Sequence, residues 1–355
     1  MQLRSFSNLK LRIPFDRCHG DFAVRAFIRA TWIIEAWDLL PKVMDTRIEF
    51  ADFPNLLAGK ALGDRMREEE ILIVDEDRVT EDTLACNKNL KLIGTPTAGL
   101  NHIDVSGATK RGIIVVNAPG VNADSVAEFA FALILAVSRK IVSADAGLRK
   151  GLVHELKSYT PLMGMELKGK TMGVVGAGHI GSRVATIAKG FGMKVLLYDP
   201  IVLPTYLDQF GKAVEMDKLF TESDVVSIHV PLTKQTLGMI TEAQFRLMKK
   251  TALFVNTSRG TVVNEPDLIT ALKEKWIAGA GLDVQAHEPL QRDDPLLELE
   301  NVVVTPHIAS ITRDAQQHCD RVVQEEVIRF AKGQRMRFVA NPEVLRNQLT
   351  SNNPL

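Results

Sequence analysis

The stretch Thr171-Met-Gly-Val-Val-Gly-Ala-Gly-His-Ile-Gly181, with Lys194-Val-Leu-Leu-Tyr-Asp199 behind it, decides how this chain is read. A short apolar run breaks into a glycine turn, and a second apolar run ends on an acid. That order predicts a strand, a tight turn, a helix and a second strand. A dinucleotide needs the same order. Gly176 permits the turn, Gly178 lets backbone approach a pyrophosphate, and Gly181 lets the helix pack closely on the sheet. His179 and Ile180 open the helix, whose free N–H groups attract phosphate; the His179 imidazole itself is read as incidental. Ile180, Val184, Ile187 and Phe191 recur at helical spacing and give the helix one apolar face. Asp199 falls where a carboxylate accepts hydrogen bonds from ribose hydroxyls, its bland alternative being a strand terminator. Pro200 follows it and no arginine stands before Lys212, which favours NAD over NADP.

With 355 residues the chain exceeds one comfortable core, and two domains are expected. Its 43 basic residues balance 43 acidic ones, so no global field draws nucleic acid or an anionic membrane. Apolar residues make up 46% and charged residues 24%, ordinary globular usage. Cys18, Cys86 and Cys319 lack paired spacing, so neither a disulfide framework nor a metal site is expected. The longest apolar run, Phe129 to Val137, is about half of a bilayer span. Arg4, Lys10 and Arg12 precede no apolar segment of the secretory type, and the cytoplasm is the expected location.

The rhythm of the glycine region recurs elsewhere. Strands are predicted at Arg47–Ala51, Ile71–Val74, Leu90–Ile93 and Ile113–Val116, with helices at Ile33–Val43, Leu56–Glu69 and Asp104–Arg111. Leu11–Phe15 is a further strand candidate, and Trp32 and Trp37 are assigned to core. Asn117-Ala-Pro-Gly120 breaks the pattern. A long helix follows from Asp124 to Lys140, its apolar stripe being either core or a dimer interface. A second series of strands lies near 172–176, 194–199, 224–229, 252–257, 278–283 and 301–305, with a last helix over Arg313–Lys332 and a frayed tail. The fold class expected is α/β: two Rossmann-like or flavodoxin-like parallel-sheet domains, the second inserted into the first. Residues 1–120 and 308–355 form the substrate-binding lid domain in this reading, and 121–307 the NAD-binding domain.

Ligands of open α/β sheets sit at the carboxyl ends of strands. The later strands end at His229-Val-Pro231, Asn256-Thr-Ser-Arg-Gly260, Gly281-Leu-Asp283 before His287-Glu288-Pro289, and Thr305-Pro-His307. An arginine, two acids and a histidine therefore share the edge that carries the glycine turn. The set suits hydride transfer to a 2-oxo acid. Arg259 can hold a carboxylate in a bidentate fork. His307 can give a proton to the carbonyl oxygen and take it back in the oxidative direction. Glu288 beside His307 would raise its pKa and fix its orientation. Asp283 is placed as an acceptor for the nicotinamide carboxamide. A satisfied strand-end histidine is the bland reading of His307, and its company with Arg259 and Glu288 argues against that. His102 and Asp104 are read as a turn and a helix cap, and Tyr159 and Trp276 as packing.

These motifs, together with Thr305-Pro-His-Ile-Ala-Ser310, resemble the NAD-dependent D-isomer-specific 2-hydroxyacid dehydrogenases over about Ile71 to Leu345. The resemblance implies Arg259, Glu288 and His307 as the catalytic three, with Arg259 and His307 also bordering the cofactor. It implies that Ala98 and Gly99, in Thr97-Ala-Gly-Leu-Asn-His-Ile-Asp104, offer backbone N–H groups to the substrate carboxylate. Val230, Pro231, Thr236, Thr257 and Ser258 match cofactor contacts, and His229 is their backbone-orienting neighbour. A homodimer joined through the helix at 124–140 is implied as well. Phe129, Asn264 and Gln285 depart from the family pattern, and Gln285 could alter the pocket wall.

Within this resemblance a small acid such as glyoxylate, hydroxypyruvate or pyruvate is favoured over 3-phosphoglycerate. Phosphoglycerate enzymes often carry arginine at the position of Thr95 and a regulatory domain after the last helix, and both are missing here. Glu288 stands where formate dehydrogenases have glutamine. Phosphite oxidation shares the catalytic three. A different class, the NAD(H)-sensing corepressors of the same family, keeps the site but usually adds long disordered extensions, of which this chain has almost none.

Overall fold

A computed structural model describes residues 24–30, 37–50, 56–151 and 162–346. The expected strand at Leu11–Phe15, the core assignment of Trp32, Tyr159 and the tail beyond residue 346 lie outside them.

The early elements are β1 (Arg25–Ala30), β2 (Asp45–Phe50), α1 (Gly59–Gly63), β3 (Ile71–Val74), α2 (Glu81–Cys86), β4 (Leu92–Gly94), α3 (Val105–Lys110) and β5 (Ile114–Val116). Then come α4 (Ala123–Ser138), α5 (Ile141–Arg149), β6 (Thr171–Val175), α6 (His179–Gly190), β7 (Lys194–Tyr198), α7 (Pro204–Leu207), β8 (Lys212–Ala213) and α8 (Met216–Glu222). The chain continues through β9 (Val225–Ile228), α9 (Glu242–Leu247), β10 (Leu253–Asn256), α10 (Glu265–Lys273), β11 (Gly279–Leu282), β12 (Val302–Val304) and α11 (Arg313–Ala331). The described residues fall into two compact units, one within Met1–Ala118 and Asp320–Leu355, the other within Pro119–Cys319. The second is thus inserted in the sequence of the first, and both are parallel α/β units.

The first unit carries a five-stranded sheet in the order β2-β1-β3-β4-β5, with every pair parallel. Its order reverses between β1 and β3. β1 is a central strand that the periodicity does not predict, since Arg25 and Arg29 interrupt its apolar run. Arg29 is nevertheless 5% exposed, because its Nε donates to Asp77 Oδ2 at 2.5 Å and its Nη1 to Glu49 Oε2 at 3.2 Å. The helix expected over 56–69 shrinks to α1. Beyond it, side chains take over the backbone's partners: Arg47 donates to Arg65 O at 2.6 Å, and Arg67 N–H donates to Glu69. Of the helix expected over 33–43, the described part has 3-10 conformation at Trp37 and in a turn at Leu40–Lys42, and no α-helix. Trp37 is core. A C-terminal strap closes the β5 edge. Val339 bridges Val116 in antiparallel fashion, Ala340 N–H donates to Val115 O, and Asn341 Oδ1 accepts from Val115 N–H at 2.8 Å.

The second unit carries a seven-stranded parallel sheet in the order β12-β11-β10-β9-β6-β7-β8. From β6 the chain proceeds one way to β8, then returns to β9 and proceeds the other way. The order therefore reverses between β6 and β9, which pair directly. Apolar strands such as β9, β10 and β11, buried at every residue, suit a sheet covered on both faces. The apolar stripe of α4 is core: Ala127, Ala130, Phe131, Leu133, Ile134 and Val137 pack with β6, β7 and β10 residues. Each of its large side chains contributes roughly 1.5–3 kcal/mol by burial. By contrast, α5 has no buried residue and exposes Ile141, Val142 and Leu148.

Candidate active site

The chemistry-bearing loops of the second unit all leave the carboxyl ends of its strands. β6 runs into the glycine turn. Gly176 has φ +91°, and a Cβ there would lie 2.8 Å from the backbone of His229 and Val230. A Cβ on Gly181 would lie 1.9 Å from Gly176 O, so only glycine lets α6 sit this close to the turn. At Gly178 a Cβ would meet nothing within 4 Å, and no side chain caps α6 there. The first-turn N–H groups at His179, Ile180 and Gly181 are thus left to an external acceptor. Asp199 follows β7, and its Oδ2 accepts from Ala177 N–H at 2.9 Å. Its Oδ1 accepts from Ile201 and Val202. The carboxylate therefore ties the glycine turn to the segment after β7.

Two further polar atoms beside this turn are buried without a partner among the described residues: His229 Nδ1 and Thr257 Oγ1. The other ring nitrogen of His229 pairs with Ser227 Oγ at 2.8 Å, and burial pushes its pKa down to about 3. Such an imidazole is neutral throughout the physiological range. Val230 is buried, and Thr236 Oγ1 donates to Pro231 O at 2.6 Å, which fixes the turn after β9. An open glycine, an uncapped helix start and orphaned polar atoms at the point where strand order reverses fit a dinucleotide.

After β10, Asn256 shapes the loop that carries the arginine. Its Oδ1 accepts from Ser258 N–H and Oγ, and its Nδ2 donates to Arg259 O at 3.0 Å. Arg259 Nη1 donates to Ser258 O at 2.7 Å. After β11, Gln285 N–H donates to Glu288 Oε1 at 3.0 Å, and Gln285 Nε2 donates to Thr305 O at 3.2 Å. Ala286 N–H donates to Glu265 Oε2 at 2.8 Å, which anchors the same loop to α10. Gln285 is buried and braces the loop internally.

His307 follows β12. Its Nδ1 lies 2.8 Å from Glu288 Oε2. The Glu288 hydrogen bond raises its pKa above the ordinary histidine value against the opposing effect of burial, and Arg259 pulls weakly the other way. Burial raises the Glu288 pKa, but the hydrogen bond and charge of His307, the Gln285 N–H and the Arg259 charge together outweigh it and leave the carboxyl below its usual value. His307 has φ +55°, a left-handed conformation uncommon outside glycine. Asp283 shows what holds it there. Its carboxylate is fully buried, and Oδ1 accepts from Thr305 Oγ1 at 2.7 Å and Ile308 N–H at 2.9 Å. Oδ2 accepts from Ala309 N–H at 2.8 Å, while His307 N–H donates to Asp283 O. Asp283, expected as a cofactor acceptor, thus has both oxygens engaged on the His307 loop. Burial pushes its pKa up.

Asn256, Glu265 and the Gln285 amide were not singled out in the sequence as supports. Only Asn256, directly after a strand and before Thr-Ser-Arg, carries a local signal.

In the first unit, the loop after β4 holds Ala98 and Gly99. Ala98 O accepts from Asn117 Nδ2 at 2.9 Å and Gly99 O from Thr97 Oγ1 at 2.7 Å. Asp104 caps α3 through Gly107 N–H, as its position after the turn predicts.

Fold and site together define a nicotinamide-dependent oxidoreductase. Residues 131–309 match the sequence model of the D-isomer specific 2-hydroxyacid dehydrogenase, NAD binding domain. A glyoxylate reductase of Thermococcus litoralis is 45% identical over 84% of this chain and 91% of its own length. A D-3-phosphoglycerate dehydrogenase of Archaeoglobus fulgidus is 44% identical over 77% of this chain, which spans about half (51%) of that relative. Among solved structures, a D-lactate dehydrogenase of Aquifex aeolicus complexed with NAD and lactic acid superposes with TM-score 0.75 at 31% identity, covering 91% of this chain and 98% of that one. The chain belongs to the D-isomer specific 2-hydroxyacid dehydrogenase family. Among the described residues, no helix is long and apolar enough to cross a membrane.

Proposed function

We propose that this protein reduces a small 2-oxo acid of the glyoxylate or hydroxypyruvate type to the D-2-hydroxy acid, reversibly and with NADH. The observation that carries the reading is the 2.8 Å pairing of His307 Nδ1 with Glu288 beside Arg259, at the edge that bears the glycine turn. NADH, when bound, supplies the hydride. Gly176, Gly178, His179, Ile180 and Gly181 bind the phosphates through the turn and the helix start, and Asp199 reads the ribose. The loops at His229, Val230, Pro231, Thr236, Thr257 and Ser258 line the remaining cofactor site, with Asp283 holding the last loop. Because Glu288 occupies Nδ1, the transferable proton of His307 resides on Nε2, aimed away from the glutamate. His307 delivers it to the carbonyl oxygen as the carbon is reduced and recovers it during oxidation. Arg259 grips the substrate carboxylate and polarises the neighbouring carbonyl. In the first unit, Ala98 and Gly99 offer backbone N–H groups to a substrate carboxylate.

Thr95 supports the small-acid choice, since it is fully buried and offers a phosphate no cation. The reading includes assembly in the cytoplasm as a homodimer joined through α4; the adjoining α5 exposes Ile141, Val142 and Leu148. NADH oxidation followed against glyoxylate, hydroxypyruvate, pyruvate and 3-phosphohydroxypyruvate tests the function. Turnover is expected with the small acids. Tight NADH binding without turnover of any of the four would overturn the reading.

A further inference from the structure

His102 lies in the turn that follows the Ala98–Gly99 loop, and the mechanism above gives it no task. Its Nε2 is 3.2 Å from Thr95 Oγ1. Thr95 Oγ1 is in turn 3.0 Å from Thr97 Oγ1, and Thr97 Oγ1 donates to Gly99 O at 2.7 Å. Counting protons along this chain fixes its direction. Each threonine hydroxyl has one proton. Gly99 O is a carbonyl and only accepts, so the Thr97 proton is committed to it. The Thr95–Thr97 contact must then be made by the proton of Thr95. With that proton committed, the His102–Thr95 contact needs a proton on Nε2. The arrangement therefore runs one way: His102 Nε2–H to Thr95, Thr95 to Thr97, Thr97 to Gly99 O.

We propose that His102 is a positioning residue for the substrate carboxylate loop, acting through Thr95 and Thr97 as a fixed donor relay. In a trans peptide the N–H points opposite to its carbonyl. Anchoring Gly99 O therefore aims Leu100 N–H to the far side of the loop, where it adds one donor to the Ala98 and Gly99 N–H groups of the proposed carboxylate site. Asn117 Nδ2 anchors Ala98 O in the same way and aims Gly99 N–H. Among the described residues, neither of these N–H groups donates within the chain. Two consecutive donors, each set by a side chain behind it, make a cradle for a carboxylate. Thr95 is fully buried, so no water competes for the middle link. The role assigned to His102 rests on the reading of this loop as the carboxylate site.

The test joins a spectroscopic signature to kinetics. In the unaltered protein labelled with 15N-histidine, the neutral His102 ring is expected as the Nε2–H tautomer; a ring protonated only at Nδ1 would overturn the relay. His102→Phe keeps a ring but removes the donor. It is expected to raise KM for glyoxylate about five- to tenfold, the size of one lost ordered hydrogen bond, with kcat and NADH affinity little changed. His102→Gln, whose amide places a donor near the position of Nε2, is expected to restore most of that loss. Thr95→Val should match His102→Phe. Turnover with KM unchanged in these variants sinks the positioning role alone. Absence of turnover in the unaltered protein sinks the carboxylate-site reading and the positioning role with it.

Discussion

The two units share a plan and differ at one place. Each is a parallel sheet whose strand order reverses once, between β1 and β3 in the first and between β6 and β9 in the second. In the first, residues leaving the reversal point turn inward: Arg29 at the end of β1 and Asp77 beyond β3 form a buried ion pair. In the second, the equivalent position is a glycine turn with an open Gly178 and an uncapped helix. One reversal point is filled by its own side chains, and the other is left for a ligand. The topology creates the opportunity in both, and loop composition decides which is used. The units also differ in what they offer a substrate. In the proposed function the second unit presents titrating side chains, whereas the first presents backbone N–H groups.

Three substitutions probe that contrast. His307→Ala should have the largest effect, lowering reduction by about 10²- to 10⁴-fold while NADH affinity, measured by fluorescence titration, stays near that of the unaltered protein. A large loss of NADH affinity would place His307 in cofactor binding instead. Asp77→Ala strikes the filled reversal point. It should destabilise the first unit by ~3 kcal/mol, the low end for breaking a buried pair because Glu49 still pairs with Arg29. Urea unfolding followed with NADH binding should show the first unit melting earlier and the dinucleotide site unaffected.

The smallest effect concerns pH. The Glu288 hydrogen bond raises the His307 pKa, so the imidazolium persists to higher pH than an ordinary histidine. Reduction should therefore fall as pH rises through that raised pKa, while oxidation should rise over the same range. Glu288→Gln removes the anion and should move both limbs of the kcat/KM profile to lower pH. An unmoved limb would assign the titration to another group.

The sequence makes the second unit far more legible than the first. Its candidate site residues lie immediately after apolar strands, so a local reading of strand ends brings Arg259, Glu288 and His307 to one sheet edge. β1 is hidden because the burial of Arg29 depends on Asp77, 48 residues away. No local pattern shows that an arginine inside an apolar run is neutralised from so far. The overextended helix at 56–69 has a similar cause, since Arg47 on another strand captures the carbonyl of Arg65. The supports of the site are obscured for the same reason. Glu265 looks like an ordinary acid in a first helical turn until its bond to Ala286 is seen. The strand end at Asp283 likewise gives no sign of the four donors that engage its carboxylate and its backbone oxygen.

The strap at Val339–Asn341 has a consequence for the order of synthesis. The ribosome releases the strands of the first unit early, but the end of α11 and the strap that completes that unit follow only after the whole inserted unit. The inserted unit, contiguous from Pro119 to Cys319, emerges whole in between and can fold before its host is complete. Through that interval the outer edge of β5 has no partner, which makes it the point where a nascent chain is most open to pairing with a neighbour. Asn341, with its side chain on Val115 N–H and Ile113 O, ends that exposure 226 residues after Val115 has been made.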